Sequence, residues 1–311
     1  MNTFHEADSG QEATHRPPTA SRKAGIIARS LLLSVLALSL AACSAVRLAY
    51  NQAPSLSYWW IDGYTDLNDA QSTVLRKDID AFFIWHRSSE LPTYITRLQQ
   101  WQQLAVIDSR PDLACGQFAQ LRAAYLRLIE RGLEPMARLA LSLTPAQLNH
   151  LQRHHAKGNR EFEERYLNVS AEERLDNLLE RAVDRYETLY GDLSAAQIAL
   201  LREHIRQSPF DPQRIQAERL RRQSDLLRTV RDLQTHRPAT PALAVVALRD
   251  WHDRVMHSPT PGFPAYSDAL VRSGCEQFSA LHNTTSFEQR AHAQRRLKDY
   301  ESDLRALIAA P

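Results

Sequence analysis

The chain has 311 residues, of which 43% are hydrophobic and 24% charged, with 9 glycines and aromatic side chains at 8%. A core of useful size can be buried, and so little glycine with so few aromatics argues against an all-β fold. The 38 basic and 36 acidic side chains leave a formal net charge of +2, which gives no electrostatic footing for nucleic acid as a partner.

In chain order, residues 1–42 read as an export signal. Arg22, Lys23 and Arg29 precede an apolar run at 31–42, too short for the ~20 residues that a membrane-spanning helix needs. A basic stretch, an apolar stretch and a small-residue end follow in the order of a secretory signal. The stretch before the apolar run is long and leaves room for a later start codon. The run closes on Leu40-Ala41-Ala42-Cys43, which resembles the bacterial lipobox. That resemblance implies cleavage between Ala42 and Cys43 and a covalent lipid on the Cys43 thiol. A thiolate can displace lipid from a head group, and two or more acyl chains hold stably where one is marginal. Ser44 resembles the outer-membrane sorting pattern of such proteins. The expectation is a palmitate-bearing lipoprotein on the periplasmic face of the outer membrane, the inner membrane being the alternative. No cofactor is expected besides that lipid.

Residues 43–66 form a lead segment with Tyr50, Tyr58, Trp59, Trp60 and Tyr64. Two readings stay open: aromatics placed in the membrane interface beside the anchor, or the start of the folded core. A turn is expected at Ile61-Asp62-Gly63. From 67 to 311 a single helical domain is expected, with 208–212 and 234–241 as candidate points of subdivision. Helical spacing runs through 68–88 (Leu75, Ile79, Phe82), 92–107 (Tyr94, Ile95, Leu98, Trp101) and 111–141 (Phe118, Leu121, Tyr125, Leu128). Gly132 and Pro135 should break or kink the last of these. A highly charged helix at 145–166 and an amphipathic one at 171–190 follow, then a short one at 195–206. Asp211-Pro212 caps and starts 212–236, and Thr240-Pro241 starts 241–256 in the same way. After a proline-rich loop at 258–264, helices at 265–281 and 287–309 complete the chain. No run alternates as a strand would. The fold class is therefore all-α, an irregular bundle of about ten mostly antiparallel helices joined by short loops.

Cys115 and Cys275 share a local context, Cys115-Gly-Gln117-Phe118 and Cys275-Glu-Gln277-Phe278. The periplasm is oxidising, and a bridge closing about 160 residues would contribute roughly 5 kcal/mol in the chain-entropy model. Two buried free thiols on helix core faces are the alternative. One pattern occurs three times: Leu67-Asn68-Asp69-Ala70-Gln71, Leu143-Thr144-Pro145-Ala146-Gln147 and Leu193-Ser194-Ala195-Ala196-Gln197. Asn68, Thr144 and Ser194 are N-caps whose side chains accept from a free backbone N–H, and each Gln three residues on reaches back to the cap. The second and third copies resemble the Leu-Thr-x-x-Gln motif of Spy/CpxP-type periplasmic chaperones, small helical proteins that cradle unfolded clients. The resemblance covers only these short stretches.

A wider resemblance spans the mature chain. Cys43-Ser-Ala-Val-Arg-Leu-Ala-Tyr50-Asn51 and Tyr58-Trp59-Trp60-Ile61-Asp62-Gly63-Tyr64 look like the start of an uncharacterised family of proteobacterial lipoproteins. Lys157-Gly158-Asn159 and Ser208-Pro209-Phe210-Asp211-Pro212 are similar to its later landmarks. The resemblance implies export, lipidation and a helical domain, and carries no functional residue.

Chemistry-bearing patterns are sparse. His150 and His154, four apart on a helix, are the weak candidates for a metal, but Arg153, Lys157 and Arg160 interleave, and no metal site is expected. No catalytic residue stands out: the carboxylates at 161–164 and 172–173 read as solvated helix faces, and no nucleophile elbow or phosphate loop occurs. The basic residues Arg214, Arg219, Arg221, Arg222, Arg228 and Arg231, like Arg290, Arg295, Arg296 and Lys298, read as helix faces balanced by acids, or as contacts to anionic lipid or cell-wall polymer. The expected function is a non-enzymatic envelope interaction or assembly module, anchored to the membrane and bound to an envelope protein or cell-wall partner. A chaperone-like holdase, marked by a concave apolar surface, and a cell-wall hydrolase, marked by a cleft with a buried Glu, are the alternatives.

Overall fold

A computed structural model describes residues 45–235 and 240–310. The signal, Ala42, Cys43 and Ser44 lie outside the described residues, as does the predicted end of the 212–236 helix. Val46–Pro311 forms one compact unit.

The described residues are helical almost throughout and contain no strand. Helix α1 covers Ala45–Thr65. Helices α2 (Asp69–Trp85) and α3 (Leu91–Leu104) are joined without a break by a π-turn at His86–Glu90. Helix α4 (Pro111–Ser142) is followed by α5 (Pro145–Phe162), which runs on into a second π-turn at Glu163–Leu167. Then come α6 (Ala171–Tyr190), α7 (Ala195–Gln207), α8 (Pro212–Thr235), α9 (Pro241–Met256), α10 (Phe263–Asn283) and α11 (Phe287–Ala309). Taken through the π-turns, the described residues make ten continuous helices.

Three expectations are corrected. The turn at Ile61-Asp62-Gly63 is absent: α1 runs through Gly63 and Pro54, and the chain turns at Asp66, whose φ is 50°. The Asp62 carboxylate accepts from the Leu67 N–H at 2.9 Å and secures that turn. The gap before Pro92 is absent too. A proline has no N–H to give, and the π-turn absorbs the misfit by bonding the Leu91 N–H to the His86 carbonyl. Finally, of the break or kink expected at Gly132 and Pro135, the break is absent, α4 running on over 32 residues. Its inner face holds it, since Leu133 and Ala137 are fully buried in a cluster with Leu148, Val230 and Leu248.

Helix α4 is the spine against which α2, α8, α9 and α10 pack, while α11 lies along α3 and α6. The hairpin turns are joined by paired glutamines. Asn68, Thr144 and Ser194 each close the predicted capping box, and Ser286 with Gln289 forms a fourth that the sequence reading missed. The boxes meet two by two. Gln147 Nε2 donates to Gln71 Oε1 at 2.7 Å and to the Asp66 carbonyl at 2.8 Å, and Gln71 Nε2 returns bonds to Gln147 Oε1 and the Ser142 carbonyl. Gln197 and Gln289 repeat the arrangement, donating to each other and to the carbonyls of Thr284 and Asp192. Each carbonyl lies two residues before the partner helix's N-cap, so the two clasps are the same device used twice. The repeated motif is thus a helix start and a tertiary joint at once.

Candidate functional site

A cavity of about 740 Å³ opens between α3, α4, α6, α10 and α11. Leu98, Trp101 and Leu104 of α3, Leu113, Phe118 and Leu121 of α4, and Leu270, Val271 and Phe278 of α10 line it, with Leu297 and Tyr300 of α11 closing one side. These residues repeat every three or four positions, so each helix turns one apolar stripe inward. Phe118, Leu121 and Gly274 are exposed and form the rim. The wall is pinned by a disulfide: Cys115 of α4 and Cys275 of α10 are bonded, with Cα atoms 5.4 Å apart. Three residues after each cysteine comes a phenylalanine on the same helix face, Phe118 and Phe278, and both line the cavity. The shared Cys-x-Gln-Phe context marks the two faces that meet.

The polar side chains of the wall already have protein partners. Trp101 Nε1 donates to Gln117 Oε1 at 2.9 Å, and Thr188 bonds the Asp184 carbonyl. Ser109 pairs with Ser279, and Tyr300 accepts from Arg296. His282 is buried, its Nε2 2.7 Å from the Ile107 carbonyl and its Nδ1 2.7 Å from the Tyr190 hydroxyl. A carbonyl can only accept, so Nε2 carries the proton and Nδ1 accepts from Tyr190. Burial pushes the His282 pKa down and that of Tyr190 up, so both stay neutral near pH 7. The site is therefore an uncharged, mostly apolar space.

The charged groups lie elsewhere. Glu218 of α8 is buried and takes two bonds from Arg221 (2.8 and 2.9 Å), one from Arg222 (2.8 Å), and those of Ser258 and Thr260. Burial by itself would raise its pKa, but the bonds from Arg221, Arg222 and Ser258 overcome that and hold it down to about 2. Asp225 is clamped by Arg254, Arg228 and Arg221. Glu301 of α11 is held at about 2 by Gln102, against the opposing effect of burial, with help from Arg305, Lys298 and Gln99. Glu90 receives both arms of Arg127, at 2.9 and 2.8 Å. Arg221, Arg222 and Arg228 of the basic segment at 214–232 thus pair with buried carboxylates. Sequence reading missed this, because a helix face rich in Arg and Glu looks alike whether water or another helix covers it.

The remaining candidates are structural. His150 Nε2 lies 3.0 Å from the Gly63 carbonyl, and His154 packs on Tyr64 in a tilted arrangement with centroids 3.9 Å apart. Among the described residues no three His, Cys, Asp or Glu side chains converge as ion ligands. Asn159 exchanges bonds with Gln223 at 2.8 and 3.0 Å, and Asp211 caps α8 while its backbone pairs with the Tyr266 hydroxyl. No described helix is long and apolar enough to cross a membrane.

A family model described as a family of unknown function (DUF6279) matches residues 63–244. Among curated proteins and solved structures, none matches the chain.

Proposed function

This chain belongs to the family of unknown function DUF6279, and we propose that it is a lipid-anchored envelope protein that binds an acyl chain without catalysing a reaction on it. The cavity carries the reading. Its volume of about 740 Å³ falls within the ~300–1,000 Å³ typical of small-molecule sites, which are mostly apolar. A hydrocarbon chain asks for no hydrogen bonds and fits a wall whose polar groups are already paired. An extended peptide would bury backbone N–H and C=O groups, each costly without a partner, so the geometry favours an acyl chain over the unfolded client of a holdase. The buried carboxyls of Glu218 and Glu301 are held low, whereas a glycosidase general acid needs its pKa raised. That weighs against a cell-wall hydrolase. Export and lipid on Cys43, on the periplasmic face of the outer membrane, rest on the signal pattern at 22–43; an envelope or cell-wall partner enters as the source or recipient of the bound lipid.

Gly274 supplies the test. A Cβ built there meets nothing within 4 Å, and the residue lines the cavity. Gly274→Leu should narrow the mouth of the cavity, and replacing a helical glycine should also stabilise the fold by about 0.5–1 kcal/mol. The expected result with a fluorescent long-chain fatty acid is saturable binding by the wild type and at least tenfold weaker binding by Gly274→Leu, whose Tm is equal or higher. Equal binding by the two would place the fatty acid elsewhere and sink the reading.

A further inference from the structure

We propose that α1 lies in the membrane interface, presenting Leu48, Leu56, Trp59 and Trp60 to lipid, so that a helix face as well as the lipid on Cys43 holds the protein and fixes its orientation. The inference rests on the anchor reading to bring the helix to a membrane. It is independent of the cavity.

Only Arg47 and Asp62 in α1 are ionised at neutral pH, and both turn to the protein. Arg47 pairs with Asp303 of α11 at 3.5 Å, and Asp62 holds the turn after the helix. The aromatics divide between two faces. Tyr58 is only 8% exposed, donates to Ser72 at 3.0 Å and lies under the Arg76 guanidinium. Tyr50 bonds His86 and packs on Phe83. Trp59 and Trp60 are 62% and 65% exposed, and Leu48 and Leu56 are 65% and 52% exposed. With Ala49, Gln52 and Gly63, also exposed, they fall within an arc of about 120° on a helical wheel, the width of an amphipathic stripe. The stripe runs about 22 Å along the axis, from Leu48 to Gly63, at ~1.5 Å per residue.

This stripe carries no charge, in a chain that is 24% charged. The outward face of α11, by contrast, shows Arg295, Arg296, Lys298 and Asp299 to water. Position selects the occupant. Cys43 precedes the first residue of α1 by two positions, a reach of no more than ~7 Å, so a lipid there delivers the start of the stripe to the bilayer surface. Indole rings favour that depth, since the ring body is apolar and its N–H can still reach polar groups. A helix held at that surface with Trp and Leu on one face lies in the plane of the interface, its apolar side in the acyl boundary.

The processed, lipidated full chain would be mixed with phosphatidylcholine vesicles brominated near the head-group end of the acyl chains. Tryptophan emission and flotation would be read together. Five tryptophans report, and the Trp59→Phe/Trp60→Phe variant removes the two that should touch lipid. Bromine quenching in the wild type that is lost in the variant is the expected result. Flotation with equal quenching in both proteins would leave the anchor standing and overturn the interfacial helix. Flotation with shielded, unquenched Trp59 and Trp60 would assign the stripe to a second protein surface instead. Failure to float would overturn both the anchor and the helix placement.

Discussion

The molecule has two interiors of opposite chemistry. Around α8 and α9, carboxylates are buried and nearly every lone pair is answered by an arginine or a hydroxyl, as at Glu218 and Asp225. Among the side chains that line the cavity between α3, α4, α6, α10 and α11 there is no Asp, Glu, Lys or Arg, and they surround about 740 Å³. Protein interiors are ordinarily close-packed, and empty apolar space forfeits contacts. The polar interior therefore reads as architecture, and the unfilled one as the part given over to a ligand. One wall of the apolar interior is pinned by a covalent bond between Cys115 of α4 and Cys275 of α10.

The largest effect should come from cutting that bond. Replacing both cysteines by serine opens a loop of sequence separation 160, worth up to roughly 5 kcal/mol in the chain-entropy model. The expected outcome is a large fall in the urea midpoint together with weakened fatty-acid binding. Unchanged binding at unchanged midpoint would mean that the walls hold themselves.

In the polar interior, Glu218→Ala should cost about 3–5 kcal/mol, because Arg221 and Arg222 would be left facing a buried site without their acid. Fatty-acid binding by the folded fraction should be unchanged, which is what separates the two regions. Acid should act on the same groups. The folded Glu218 pKa of about 2 lies below the ordinary 4.5, so its contribution is complete above pH 4.5 and is lost as pH falls from 4.5 toward 2. His282, held neutral by burial and so lowered from 6.5, adds an earlier loss as pH falls below 6.5. Urea midpoints measured from pH 7 to pH 2 should therefore decline in two stages, and Glu218→Gln should shrink the second, the remainder belonging to Glu301, also held at about 2.

The smallest difference lies between the two glutamine clasps. Gln71 and Gln147 are both buried, while Gln289 in the second pair is half-buried. Removing a partner from a buried polar pair costs ~1–3 kcal/mol, and water can replace it where the site is open. Gln147→Ala should therefore lower the Tm more than Gln289→Ala does. Equal losses would mean that both clasps are equally dry.

Several of these features were written locally. The caps at Asn68, Thr144 and Ser194 needed only a hydroxyl or amide before a helix and a glutamine three residues on. The fourth, at Ser286, escaped because Thr285 stands where the other copies have leucine, although its Ser-x-x-Gln core is the same. At Pro92 the π-turn carries the helix past the missing N–H, whereas at Gly63 and Pro135 packing outweighs a local preference. Breaking propensity at a single residue is a cost of at most a few kcal/mol, and long-range packing on either side, such as Leu133 and Ala137 of α4, outweighs it.

The sequence by itself determined the all-α class, nearly every helix start and the pairs of residues that cap them, because periodicity and capping act within a few residues of one another. Only the tertiary structure decided that the capping glutamines clasp in pairs, that Cys115 meets Cys275, that Arg221 and Arg222 face a buried Glu218, and that Trp59 and Trp60 point away from the core. Each of these depends on which helix lies opposite, and a repeat of 3.6 residues states that a helix has an apolar face without stating what will cover it.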